Sequence, residues 1–375
     1  MIKPFSANIS EEILYDLQTR IKNTRWTDEL TDSNWSYGTS LSFMKELSNY
    51  WLNNFDWRKV EAGINSFPNF IANIDGHEIH FIHVKGKGKR SIPLIITHGW
   101  PGSFLEMMKL IPLLTEDEDV SFDLVIPSII GFGYSGASNV EGCNSAFVAD
   151  LWQKLMLELG YKKYGAQGGD IGSGVSIWLS LKYPENVIGL HLNYISSSYK
   201  PYLKEGEQLT AEVIAFQKFA QNWASKEGAY SYIQSTKPQT LAYGLNDSPI
   251  GLCAWIIEKF NTWSDNGGNI NAVFSKDELL ANVTLYWITQ TIHSSIRMYN
   301  ENSKHPLQFG ENDFIKVPVG FAKFPKELPI PPRSFIEKSF YITHWTEMPF
   351  GGHFAGMEQP KLLSNDIIKF FGSLM

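Results

Sequence analysis

Gln167-Gly168-Gly169-Asp170-Ile171-Gly172-Ser173 is the stretch on which the fold reading turns. A short strand-like approach precedes it, and a helix-like run, Val175-Ser176-Ile177-Trp178-Leu179, follows. The form is small-x-nucleophile-x-small, the pattern of a nucleophile elbow, with Asp170 at the position of the attacking group. Gly168 and Gly172 flank a strand-to-helix turn too tight for side chains. A carboxylate lifted onto such a turn and aimed into a cleft is already charged at neutral pH. It needs no base to attack an alkylating carbon such as that of an epoxide or an alkyl halide. The bland reading of Asp170 is a helix N-cap after a Gly-rich turn.

Around this stretch the chain alternates strand and helix patterns. Phe70–Ile74 and Ile79–Val84 flank Asp75-Gly76, a hairpin signal. Pro93–Thr97 is a short apolar run suited to a buried central strand, and Phe122–Pro127 and Val187–Leu192 read as further strands. Ser103-Phe104-Leu105-Glu106 has the form of a capping box and predicts a helix through Leu114, and Ala146–Leu159 is amphipathic. This rhythm predicts a mostly parallel central sheet with helices on both faces.

From about residue 196 the pattern turns helical. Ser248-Pro249 starts one predicted helix, and the capping box at Ser275 starts another that runs to about Tyr299. Strands resume at Val317–Phe321 and Phe340–Thr343, and the last helix covers Pro360–Phe371. Near the N-terminus, helical patterns cover about 10–25 and 41–54. The predicted organisation is an N-terminal packing segment (1–67), a first core part (68–195), a helical lid (196–309) and a second core part (310–375).

Composition narrows the function classes. With 43% hydrophobic and 19% charged residues in 375, a packed α/β core is expected and disorder is not. The net charge of −7 and the absence of a basic block argue against nucleic acid as a partner. Cys143 and Cys253 are far apart and read as reduced thiols. No apolar run approaches the roughly 18 residues that span a bilayer, so a cytoplasmic protein is expected.

Two further loops carry candidate chemistry. Phe350-Gly351-Gly352-His353-Phe354 lies between the last strand and the last helix, where a base belongs when the chain order is nucleophile, acid, base. The acid then lies between Asp170 and His353. Glu327, just after the strand at 317–321, is favoured by position over Glu337 and Glu347. His98-Gly99-Trp100-Pro101-Gly102-Ser103 follows the central strand. There the Trp100 N–H is a candidate oxyanion donor, with the Ile171 N–H as the second. Gly131–Gly136 matches GxGxxG, but the loop-like 137–142 after it offers no helix to meet a pyrophosphate. His77, His80 and His83 are evenly spaced, yet period 2 turns His80 away from the others, against a three-His metal site.

Taken together and in order, His98–Ser103, Gly168–Gly172 and Gly351–Phe354 resemble the epoxide hydrolases of the α/β-hydrolase fold, in the microsomal and juvenile-hormone branch. The resemblance runs over essentially the whole chain and includes the Arg25-Trp26 region, Leu245–Pro249 and Ile296–Asn302. It implies Asp170 as nucleophile, His353 as base and Glu327 as the acid orienting it. Two lid tyrosines, Tyr230 and Tyr299, would activate the epoxide oxygen, with Tyr232 a rival for the first. It further implies a small-molecule, apolar epoxide and water as partners, no metal and no organic cofactor; a homodimer stays open. Two departures stand out: no hydrophobic membrane anchor at the N-terminus, and Ile171 where many relatives have Trp. The rival readings are a haloalkane dehalogenase-like hydrolase, a serine esterase using Ser173, and a non-catalytic binding protein of the same fold.

Overall fold

The computed structural model describes all 375 residues. Its strands are β1 (Ile2–Phe5), β2 (Asn69–Ile74), β3 (His77–Val84), β4 (Arg90–Thr97), β5 (Val120–Pro127), β6 (Tyr164–Gly168), β7 (Val187–Leu192), β8 (Ile315–Lys323) and β9 (Phe340–Glu347). They form one nine-stranded sheet in the order β1-β2-β3-β5-β4-β6-β7-β8-β9. The pairs from β1 to β5 are antiparallel; β5-β4-β6-β7-β8-β9 is a parallel block. This is the expected α/β-hydrolase architecture. Asp75 and Gly76 both take positive φ in the β2–β3 hairpin, as a two-residue turn between twisted strands requires.

The sheet is buried on both faces, as all-apolar strands such as Leu94–Ile96 require. One apolar core continues from Leu47 and Trp51 near the N-terminus through Phe321 of β8 to Ile257 and Phe260 in the helix Pro249–Trp263. Polar ties follow the same route. Arg20 donates to the Asp247 carboxylate and carbonyl, and Thr39 donates to the Ala254 carbonyl. No helix is long and apolar enough to cross a membrane.

Several local expectations need correction. The helix predicted from Ser103 through Leu114 is split. A 3-10 turn, Phe104–Met107, is followed by a separate helix, Leu110–Thr115. Pro112 has no N–H and is tolerated only in a first turn, so the helix must begin just before it. The capping box does not close, because the Ser103 hydroxyl accepts from Leu105 N–H rather than from Glu106. The helix predicted from Ser275 to Tyr299 also breaks, into Lys276–Thr289 and Ile292–Lys304. Gln290 takes φ 54°, and Gln290 and Thr291 N–H groups return to the Trp287 and Tyr286 carbonyls, a left-handed helix stop built without glycine. Strand β1 and the helix Trp57–Asn65 have no clear sequence signal. Strand β1 forms by pairing with β2, and Asn65 holds the chain after it at Ala7 N and O.

The helix Asp170–Lys182 leaves the end of β6 and crosses the end of β4 at very short range. A Cβ on Gly172 would lie 2.0 Å from the Thr97 carbonyl oxygen, a backbone atom that cannot step aside. Gly172→Ala is therefore expected to cost about 2–3 kcal/mol and to lower the thermal midpoint by several degrees in circular dichroism.

Candidate active site

Asp170 is the first residue of its helix and adopts φ 47°. For a residue with a Cβ this conformation costs about 1–2 kcal/mol, and it turns the carboxylate out of the sheet toward the His98–Ser103 loop. Gly99 makes room for it: a Cβ there would lie 2.3 Å from Asp170 Oδ1. Next along that loop, the Trp100 N–H donates to Asp170 Oδ1 at 2.8 Å. The Ile171 N–H makes no hydrogen bond to the carboxylate, so of the two expected oxyanion donors one is engaged. His98 is buried and pinned on both ring nitrogens, to Gly99 O and Ile129 N. Burial lowers its pKa to about 4, so it is neutral and holds the loop.

The loops after β8 and β9 bring the other two groups to Asp170. They are stitched together by one rung of parallel pairing, Lys326 N–H to Gly351 O at 3.1 Å. Glu327 Oε1 then meets His353 Nδ1 at 2.5 Å and also accepts from Leu328 N–H, while Glu327 Oε2 is buried without a partner. His353 Nε2 lies 3.4 Å from Asp170 Oδ2. Burial opposes charge on His353, but Glu327 on one side and Asp170 on the other outweigh it, and its pKa is pushed well above the usual histidine value. The His353 ring thus lies between two carboxyl groups that favour its charged form. Glu337 and Glu347, the rival acids, pair instead with Arg333 and Lys323 at the surface.

Two acidic groups with no sequence signal hold the His353 loop. Glu358 accepts from Gly352, Phe354 and Asp265 N–H groups at 2.8–3.0 Å, and Asp265 accepts from Gly351 N–H. The N–H of His353 itself donates to the carbonyl of Trp263, the last residue of a lid helix. Four consecutive amides, Gly351 to Phe354, are therefore fixed: two by Glu358, one by Asp265 and one by the Trp263 carbonyl.

The lid brings tyrosines over the carboxylate. Tyr230 stacks on Trp100 (centroids 5.4 Å apart, planes 8° from parallel), and Tyr299 meets both Trp100 and Tyr230 edge-on at 5.7 and 5.9 Å. Burial, with the Asp170 charge nearby, pushes both phenols well above their usual pKa. Tyr230 is 8% exposed; Tyr232, its rival, is 74% exposed at the cavity mouth. The helix break at Gln290 sets the direction of the Tyr299 helix, and the Ser294 hydroxyl ties it to the Gly131 carbonyl. GxGxxG is thus a loop that supports the lid. A cavity of about 770 Å³ opens in front of Asp170, lined by Ile171, Trp178, Tyr194, Trp223, Tyr230 and Tyr299 among others. Tyr194, which packs edge-on to His353, is a further cavity residue with no motif to announce it. The three histidines of β3 serve separate packing and hydrogen-bonding roles: His80 with Ser128 and Asn69, His83 with Tyr161, His77 against Phe147.

Comparison with known proteins identifies the family and the fold. Residues 2–107 match the family model described as epoxide hydrolase N terminus, and residues 92–237 match the alpha/beta hydrolase fold. The chain is 40% identical to epoxide hydrolase 1 of Sus scrofa, over 100% of this chain and 89% of the relative. It is 36% identical to juvenile hormone epoxide hydrolase 1 of Ctenocephalides felis, over 98% of this chain and 84% of the relative. Among solved structures, the Aspergillus niger epoxide hydrolase superimposes with a TM-score of 0.88 at 30% identity, covering 100% of this chain and 97% of the other. The Bombyx mori juvenile hormone epoxide hydrolase does so with 0.86 at 31%, covering 100% and 94%.

The charge arrangement has a measurable consequence. Because the folded pKa of His353 is raised, its ion pairs stabilise the fold fully below the free histidine value of about 6.5. That stabilisation is lost as pH rises through the folded pKa. Glu327→Gln removes one of the two carboxylates, so a nitrogen-15 NMR titration of His353 is expected to show its pKa falling by at least about one unit.

Proposed function

The chain belongs to the epoxide hydrolases of the α/β-hydrolase fold, and we propose that it opens apolar epoxides to vicinal diols through an ester on Asp170. One observation carries the reading: the Asp170 carboxylate has the His353–Glu327 pair on one side and faces a cavity lined by Tyr230 and Tyr299, packed edge-on to each other. The first pair suits water activation and the second suits protonation of a ring oxygen. A halide would call for N–H donors instead, and the tyrosine pair supports the epoxide.

Asp170 Oδ1 accepts from the Trp100 N–H. In our reading Oδ1 becomes the ester carbonyl oxygen and Oδ2 attacks a ring carbon. As the new C–O bond forms, the ring C–O bond breaks, and the departing oxygen takes a proton from Tyr230 or Tyr299. The raised phenol pKa values keep these donors protonated at any workable pH. Esterification removes the negative charge of Asp170, one of the two charges that hold the proton on His353. His353 then releases that proton, restoring the phenol, and becomes a base only after the ester exists. It next deprotonates a water whose oxygen attacks the Asp170 carbonyl carbon. The Trp100 N–H, joined by the Ile171 N–H, stabilises the oxyanion; such a donor is worth about 3 kcal/mol. Collapse expels the glycol with a proton and leaves the carboxylate beside a reprotonated His353. The aromatic lining of the cavity supports an aryl or alkyl epoxide, which gains more from burial there than a small polar one.

A single turnover in oxygen-18 water tests the route. The first diol is expected to carry no label, because its new oxygen comes from Asp170; label in that first product rules out the ester. Tyr230→Phe and Tyr299→Phe are each expected to slow ester formation by about 10²-fold, and the double variant far more. Rapid-quench measurement of the alkylation step checks this, and unchanged alkylation in the double variant would remove the tyrosines from the reaction.

A further inference from the structure

A second, much smaller cavity shares only Asp170 with the large one. Its volume is about 20 Å³, and its polar lining is Asp170, His353, Glu106, Gln167 and Asn193. A single water occupies roughly one probe sphere of 10–15 Å³ and needs two to four polar partners. The lining supplies them. Gln167 is 1% exposed; its Nε2 donates to Asn193 Oδ1 at 3.0 Å, while its Oε1 is buried with no partner. Glu106 is 8% exposed and its side chain folds back across Gly102. A Cβ on Gly102 would fall 1.1 Å from Glu106 Oε1, so the carboxyl occupies space that any other residue at 102 would fill.

We propose that Glu106 and Gln167 are positioning residues that hold, in this small cavity, the water that His353 deprotonates in the second half of the reaction. The proposal rests on the ester route above. The water gives one proton to His353 Nε2 while its other hydrogen is held on Gln167 Oε1, and its oxygen bonds to the Asp170 carbonyl carbon; as the glycol–carbonyl bond then breaks, that second hydrogen passes to the departing glycol oxygen and the Asp170 carboxylate is restored. Glu106 suits this place because it is a neutral acid there. Burial is the largest influence raising its pKa, to about 8, with Asp170 and Glu358 adding to the rise and His353 and the Ser103 N–H opposing it. A protonated carboxyl both donates and accepts, and adds no negative charge beside the nucleophile. Water would thus reach the ester from one side while the epoxide enters from the other.

The experiment is single-turnover and steady-state kinetics with styrene oxide on the full chain. In Glu106→Ala, ester formation is expected to stay within about threefold, while ester hydrolysis slows about tenfold or more. Slowing hydrolysis alone lowers kcat and KM together and leaves kcat/KM unchanged, a split that general loosening of the fold does not produce. Glu106→Gln, which keeps a donor and an acceptor, is expected to recover most of the hydrolysis rate. Gly102→Ala displaces the carboxyl without altering residue 106, and is expected to show the same split; it decides the matter if Glu106→Ala does not fold. Unchanged hydrolysis in Glu106→Ala or Gly102→Ala, or equal loss in kcat and kcat/KM, overturns the proposal. The ester route fails separately, if neither the wild type nor His353→Gln accumulates any ester.

Discussion

The carboxylate of Asp170 is held at the mouth of the sheet by a backbone conformation that its own side chain disfavours, and the rest of the site is built around that strain. Residues on three elements lack side chains where the turn needs room: Gly99 after β4, Gly168 at the end of β6, and Gly172 in the helix that follows. The parallel sheet supplies the force that holds the turn, because β4 and β6 are paired up to Thr97 and Gly168. The Trp100 N–H can then meet Oδ1 without any movement of either loop.

The His353 side chain is secured in a different way. His353 sits on a loop that gains little from regular pairing, with a single bridge to the Glu327 loop. Its amides are satisfied by Glu358, by Asp265 and by the carbonyl of Trp263. Two of these belong to the end of a lid helix and the segment leaving it. The lid therefore does more than cover the cavity, since it also fixes the loop that carries the imidazole. The same lid supplies Tyr230 and Tyr299 and packs into the common core with the N-terminal segment. Loosening any of these parts disturbs the others.

Electrostatics couples these groups. Asp170 and Glu327 together favour a proton on His353. On the ester route we propose, neutralising Asp170 weakens that hold, so the base is unavailable before the ester exists and available afterwards. Buried Glu106, whose pKa burial raises to about 8, fits the same logic: polar contact near the Asp170 carboxylate without added charge.

The motif-bearing parts of this chain were legible before any coordinates. Strand periodicity, the glycine-spaced elbow at 168–172 and the His353 loop follow from local sequence, because each depends on neighbours within a few residues. The choice of Glu327 over Glu337 and Glu347, and the burial that separates Tyr230 from Tyr232, were open in the sequence and depend on which way each side chain turns in the assembled fold. The break at Gln290 was not legible, since a left-handed stop without glycine carries no pattern. Glu358, Asp265, Tyr194, Gln167 and Glu106 were equally hidden. Their surroundings come from segments far apart in the chain, and only folding makes them neighbours, so burial, charge and hydrogen bonding at those positions are properties of the tertiary structure alone.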